Sequence, residues 1–280
     1  MKKYYLDQIL VEQILRKSEE RAKASKRNKE VSEKWFTIAE NDIKMTEMLY
    51  KSGYYAGAVY HLQQAFEKIA KGYYILIGRL EPEEAAGHTF ILERLKKEIH
   101  EEDIQNITQL MSSINEKKFD LKESETTLNI LEKNEDDLRI MKEQEIKSIF
   151  DFFKVGEENL KSKESMEKLN IKIHERRILR FLKYLILKIT HFRIRDSEIK
   201  AFIEQAKLES YIDDILISMR LNYFSLVTFL HFNTPRYPFI KKSKINFFDY
   251  NQNLGIVKTL PELIKEFEKI DTNIKEQFKQ

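Results

Sequence analysis

The sequence predicts an all-α protein, an antiparallel helical bundle, and three observations carry that expectation. Between residues 88 and 234 the chain holds one glycine, Gly156, and no proline, so 147 consecutive residues almost lack the two main breakers of regular structure. Apolar residues recur at steps of three and four in two segments, Val59-Leu62-Phe66-Ile69-Tyr73 and Leu260-Leu263-Ile264-Phe267-Ile270-Ile274. Strand-like alternation of apolar and polar residues is scarce.

The elements follow in order. Residues 1–33 form a basic helical arm in which ten Lys and Arg face six acids up to residue 34; it is either a solvated lead-in or a nucleic-acid contact. A first amphipathic helix follows, with Trp35, Ile38, Ala39, Met45 and Leu49 assigned to its inner side. Gly53 stands where a helix C-terminus calls for positive φ. The second helix carries the Val59–Tyr73 stripe and closes at Gly78 and Pro82. A third is expected from His88 to Ile99.

Residues 101–220 read as a charge-rich helical insertion. Within it, Leu121, Leu128, Leu131 and Leu138, spaced 7, 3 and 7, suggest a coiled-coil-like hairpin over 104–146. A basic helix from Lys172 to Arg195 has a local net charge of +7, and Lys172, Arg176, Arg180 and Lys183 form its stripe. Such a stripe is a solvated outer face, a nucleic-acid contact or a dock for an acidic protein. A helix from Asp214 to Phe232 then reaches Thr234-Pro235. The last helix is signalled by Thr259 as N-cap, Pro261 in the first turn and Glu262 as capping-box acid.

Composition narrows the functions open to the chain. Forty-nine basic and 46 acidic residues leave a net charge of +3, so anion binding must come from local patches. Absence of cysteine excludes disulfides, thiolate metal sites and a cysteine nucleophile, and fits a cytoplasmic protein. Asp7 and Glu12 interrupt the apolar run that a signal peptide would need, and no segment suits a bilayer span. The six histidines lack ligand spacing and no phosphate-cradling glycine loop is present, so no metal or cofactor is expected.

Two distant segments carry the chemistry. The first holds Trp35, Ala39, Gly53, Tyr54, Gln63-Gln64-Ala65, Glu67-Lys68, Lys71 and His88; the second is Thr234-Pro235-Arg236-Tyr237-Pro238. Together they resemble the two ends of a HEPN domain, the small helical domain named for higher eukaryotes and prokaryotes nucleotide binding. The resemblance places the domain in two parts, 34–100 and 221–280, around the insertion 101–220. It implies RNA or nucleotide binding in a prokaryotic defence or toxin–antitoxin setting, a nucleotidyltransferase-type antitoxin partner, and a homodimer.

Ribonuclease members of that family carry an arginine followed after four to six residues by histidine, and cut RNA without metal. Here Arg236 is followed at that distance by Lys241, Lys242 and Ser243. Arg94 and His100 have the spacing but are rotated about 240° around one helix, which leaves them about 120° apart. The chain therefore departs from the nuclease pattern. Gln64, Lys68, Lys71, Arg236, Tyr237, Lys241 and Lys242 are the expected RNA or nucleotide contacts. The helix carrying Gln63 to Lys71 also reads, and more readily, as a buried polar network tied to the arginine turn, with Glu67 as a partner for Arg236. Two alternatives stand beside binding: a metal-independent endoribonuclease whose histidine is displaced, with Arg236, His61 and His88 as catalytic candidates and His231 behind them, and a non-enzymatic interaction module assembled through the insertion.

Overall fold

A computed structural model describes residues 26–86, 135–160, 213, 216–231, 234–236 and 244–279. The protein is all-α, and every regular element among the described residues is helical. In chain order these are α1 (Lys26–Lys51), α2 (Tyr55–Leu76), a 3-10 turn at Glu84–Ala86, α3 (Glu135–Arg139), α4 (Glu143–Leu160), α5 (216–229), a 3-10 turn at Phe247–Asp249, α6 (Gly255–Lys258) and α7 (Leu260–Lys279).

Helix α1 ends where Gly53 takes φ +79°. The amide of Tyr54 donates to Leu49 O and that of Gly53 to Tyr50 O, which satisfies carbonyls that the last turn would otherwise leave open. The same device ends α2, with Gly78 at φ +71° and the Arg79 amide on Tyr74 O. The tight turn makes α1 and α2 antiparallel: Asn28, at the start of α1, donates to Ile75 O at the end of α2.

The stripe predicted for α2 is the centre of the core. Val59, Leu62, Phe66, Ile69 and Tyr73 are all but inaccessible to water, which contributes about 1.5–3 kcal/mol apiece before entropy is counted. Phe66 meets Phe224 of α5 and Phe267 of α7, with ring centroids 5.8 and 5.7 Å away. All six apolar residues predicted for the inner face of α7 are buried as well.

Two sequence expectations fail locally. In α1, Ile38 and Met45 lie exposed, and the buried line is Ser32, Phe36, Ala39, Ile43 and Thr46, with Asp42 beside it. Small hydroxyl side chains can occupy that line because Ser32 donates to Asn28 O and Thr46 to Asp42 O, one turn back. Thr259 likewise does not cap α7 with its hydroxyl. A helical turn, α6, already precedes it, and its Oγ1 donates back to Gly255 O at 3.0 Å.

Residues 143–160 fall in the stretch read as an insertion, yet α4 belongs to the same core. Ile146, Ile149, Phe152 and Phe153 are buried, and Phe153 packs on Tyr223 and Phe224. Leu138, the last leucine of the supposed coiled-coil seam, is buried in this core too, and its helix stops at Arg139. The seam leucines 121, 128 and 131 and the predicted third helix lie outside the described residues.

Arg220 of α5 fastens α4 to α7. Its side chain is 2% exposed, donates to Glu157 of α4 at 2.9 Å and to Glu266 of α7, and lies over the Phe153 ring. Lys269 adds a 2.5 Å contact to Glu157. On the other side of α7, Lys275 joins Asp271 to Glu40 of α1.

Close helix approach rests on two glycines. A Cβ on Gly72 would lie 2.5 Å from Phe36 Cε1 and 3.1 Å from Trp35 Cβ; one on Gly255 would lie 2.1 Å from Met141 O. Gly57, by contrast, would meet only the end of the Leu49 side chain, at 3.2 Å. Gly72→Ala is therefore expected to cost about 1–3 kcal/mol by overpacking, while Gly57→Ala is neutral or gains up to about 1 kcal/mol of helix propensity; urea midpoints of the two variants check the contrast. Removing the fully enclosed cation in Arg220→Met leaves carboxylates without their partner and is expected to cost about 3–5 kcal/mol. The half-exposed Lys275→Met should cost under about 1 kcal/mol, and the same titrations measure both.

Candidate functional site

Seven residues separate His61 from Lys68 on α2, so both project from one side of that helix towards α1. Asp42 of α1 lies between them. Its Oδ1 is 2.8 Å from His61 Nδ1 and its Oδ2 accepts from Lys68. Burial alone pushes the Asp42 carboxyl up, and the hydrogen bonds from His61 and Lys68 more than reverse this, holding it below the ordinary carboxylate value. An ionised carboxylate only accepts, so His61 Nδ1 carries the proton in this contact. That leaves Nε2 as the ring nitrogen that can serve a ligand, on a side chain 27% exposed.

The neighbouring residue brings in the arginine. The Tyr60 ring stands edge-on to His61 with centroids 5.3 Å apart, and the Arg236 guanidinium lies 5.4 Å above the Tyr60 centroid. Tyr60 is thus flanked by an imidazole held by a carboxylate and by an exposed guanidinium, although 175 residues separate His61 from Arg236 in the chain. A planar cation stacks well on an aromatic face while keeping its N–H donors pointed outward.

The arginine turn is fixed from beneath. Thr234 Oγ1 meets Tyr250 OH at 2.5 Å, and that hydroxyl also meets His231 Nδ1 at 2.7 Å. His231 is enclosed, and burial, with a smaller contribution from the charge of Arg139, lowers its pKa from 6.5 to about 3. It is a neutral structural group here and cannot reach a ligand in solvent.

Behind this surface runs a second, buried chain of polar groups. Gln64 donates to Gln63 at 2.6 Å, Gln63 to Glu67 at 2.9 Å, and Lys71 to Glu67 at 2.7 Å. The Lys71 ammonium also lies 5.2 Å from the centre of the Trp35 ring. Gln64 and Lys71, expected to contact a ligand, are thus buried inside a network, and the shared face with Lys68 is divided. Lys71 turns back to its i−4 acid while Lys68 reaches across to Asp42. Glu67, expected to meet Arg236, accepts from Gln63 through Oε2 and from Lys71 through Oε1.

Of the remaining candidates, His88, Tyr237, Lys241, Lys242 and the basic stripe of Lys172, Arg176, Arg180 and Lys183 lie outside the described residues. Sequence reasoning missed Asp42 and Tyr60. Asp42 had a signal: it falls three residues past Ala39 on the helix face that must be buried, where an acid needs a partner. Tyr60 had none, because its role comes from what the distant turn lays over it.

Among the described residues, no three acidic or histidine side chains gather in a way that could hold a metal, and no helix is long and apolar enough to cross a membrane. A concavity of about 580 Å³ is lined by Arg220, Glu157, Glu266 and Lys269, which pair with one another, and by Asp151, Lys154 and Glu158.

A model of the HEPN domain family matches residues 32–183, more than half of the chain. The chain belongs to the HEPN family. The match begins in α1, takes in α2 and α4, and runs past the boundary at residue 100 that the sequence suggested. No curated protein and no solved structure matches the chain. Among the described residues of this HEPN protein, Arg236 and His61 both contact Tyr60, while Gln63, Gln64, Glu67 and Lys71 form a buried network on the same helix.

His231 gives that base a pH signature. The folded protein keeps this imidazole neutral down to about pH 3, whereas the unfolded chain takes up a proton near pH 6.5. The unfolded state therefore binds more protons between those values. The contribution is whole above pH 6.5 and is lost progressively as pH falls towards 3. The urea midpoint of the wild type is expected to drop more between pH 7 and pH 5 than that of His231→Asn; parallel titrations at the two pH values measure the difference.

Proposed function

We propose that this HEPN protein binds RNA at the surface formed by Arg236, Tyr60 and His61. The observation that carries the reading is an exposed guanidinium and a carboxylate-held imidazole that each contact the same tyrosine ring. A guanidinium offers two parallel donors to a phosphate, and an imidazole nitrogen beside it suits a second phosphate oxygen or a ribose hydroxyl. Lys68 keeps Asp42 paired, so the carboxylate behind His61 repels an approaching anion less than a bare one would. The nearly neutral chain fits binding by a local patch in place of a global field.

A second reading is supported by one specific contact, the 2.8 Å hydrogen bond from His61 to Asp42. A carboxylate that fixes the imidazole with Nε2 outward is the arrangement a general base needs. In that reading His61 takes the proton of a ribose 2′-hydroxyl, the 2′-oxygen attacks the adjacent phosphorus, and the bond to the 5′-oxygen breaks with protonation of the leaving oxygen. Arg236 stabilises the phosphate charge and no metal takes part. His61 would be the histidine that the Arg-x4-6-His spacing lacks.

A cytoplasmic place of action, a prokaryotic defence or toxin–antitoxin setting, a nucleotidyltransferase-type partner and a homodimer belong to the same proposal and draw their support from the family alone.

The experiment is incubation of labelled single-stranded RNA with the protein in EDTA, followed for both retention and cleavage. Retention that falls with salt and drops about tenfold or more in Arg236→Ala is expected, since a phosphate contact is charge-driven. Unchanged retention in Arg236→Ala would remove the binding reading. Cleavage that vanishes in His61→Asn, with retention kept, would establish the second reading; intact RNA throughout would dismiss it.

A further inference from the structure

Helix α3 has five residues, too few to be stable by its own hydrogen bonds, so what it touches decides where it lies. Leu138 is 3% exposed and pegs it to the core. Met141, just beyond, is buried too, and a Cβ on Gly255 would lie 2.1 Å from its carbonyl oxygen, so the turn after α3 is pressed against α6. Asp137 and Arg139 flank the peg, about 200° apart around the helix, and reach in different directions.

Each of them holds one end of the same stretch of chain. Arg139 Nε donates to Leu230 O at 3.2 Å, at the C-terminal end of α5, where carbonyls lack an intrahelical partner and the helix dipole is negative. Asp137 Oδ1 accepts from Lys244 Nζ at 3.0 Å. Arg236 lies between those two ends, six residues after Leu230 and eight before Lys244. Burial, and after it the charge of Arg139, keeps His231 neutral; that imidazole bonds Tyr250, which bonds Thr234 two residues before Arg236. Arg139 therefore acts at the base of the arginine turn.

Tying both ends of a stretch of chain limits where its middle can go, and that entropy is lost on folding, before any ligand arrives. A cation over a ring at an exposed site is a weak contact by itself. The place of the Arg236 guanidinium, 5.4 Å from the Tyr60 centroid, thus depends on how well its backbone is held.

We propose that α3 is a clasp and that Arg139 and Asp137 are positioning residues for Arg236: by holding Leu230 and Lys244 they keep the guanidinium over Tyr60. Opening the clasp frees the arginine turn while the core around α2 stays folded. The Asp137–Lys244 pair is about half exposed, so salt screens it and loosens the clasp. The clasp itself needs no ligand; its consequence for binding rests on the RNA reading.

The test is NMR of protein labelled in its arginine side chains, with urea midpoints to show that each variant folds. The ring current of Tyr60 is expected to move the Arg236 Cδ–H and Nε–H signals upfield, and their absence in Arg236→Ala identifies them. Arg139→Gln loses most of that shift. Asp137→Lys reduces it, and adding Lys244→Asp restores it, a rescue that lost packing would not give. Where Arg139→Gln fails to fold, the charge swap decides. Retention of labelled RNA drops about threefold or more along with the shift, as the competent state becomes less populated. No upfield signal in the wild type, or an unchanged one in Arg139→Gln and Asp137→Lys, overturns the clasp. A lost shift with wild-type retention in Arg139→Gln, while Arg236→Ala binds weakly, overturns the positioning role. Wild-type retention in Arg236→Ala removes the RNA reading, and the shift alone then decides the clasp.

Discussion

Helix α2 is enclosed on nearly every side, and it is not an apolar helix. Seventeen of its 22 residues are buried, among them Gln63, Gln64, Glu67 and Lys71. A polar group taken out of water without a partner costs several kcal/mol, so each of these must find its partner within the protein. The i, i+4 spacing of Gln63, Glu67 and Lys71 solves this locally, along one edge of the helix. That leaves the Val59–Tyr73 stripe free to meet α5 and α7 through Phe66, Tyr73 and their aromatic neighbours. The other elements are arranged around this helix and its needs.

Closing the shell took both small residues and charges. Gly72 lets α1 lie against α2 at a distance no side chain would permit, and Gly255 does the same for α6 against the turn before α4. On the far side Arg220 holds two carboxylates from different helices, so its worth lies less in net stability than in fixing where α4 and α7 stand relative to α5. Tyr250 does comparable service for the loops, binding His231 and Thr234 with one hydroxyl. Of these interactions, the Tyr250 contact with Thr234 lies directly beneath the turn that carries Arg236.

At that surface the protein separates buried polarity from accessible polarity. Asp42 is the link between the two. It is buried enough to be felt as a cost, is held ionised by His61 and Lys68, and in return engages Nδ1 of the imidazole, leaving Nε2 outside that bond. The same helix, one residue earlier, offers Tyr60 to Arg236. At this turn the Arg236 guanidinium lies over the face of the Tyr60 ring, where a planar cation packs well.

The sequence by itself determined the helical class, the stripes of α2 and α7, the glycine that ends α1 and the family. Each of these is written within a few residues, in periods of three and four or in a φ that only glycine adopts without strain. Local pattern misled where burial depends on neighbours. Ile38 and Met45 look like core residues but face water, while Ser32 and Thr46 are buried because their hydroxyls bond one turn back. The membership of α4 in the core was hidden by its charge-rich surroundings, since sequence separation says nothing about which helices share a face. The site was legible in its parts, Arg236 and His61, but not in its assembly. Only the tertiary structure decided that Asp42 fixes the imidazole and that Arg236 crosses 176 residues of chain to lie on Tyr60, because such contacts arise between surfaces brought together by packing and leave no local pattern of their own.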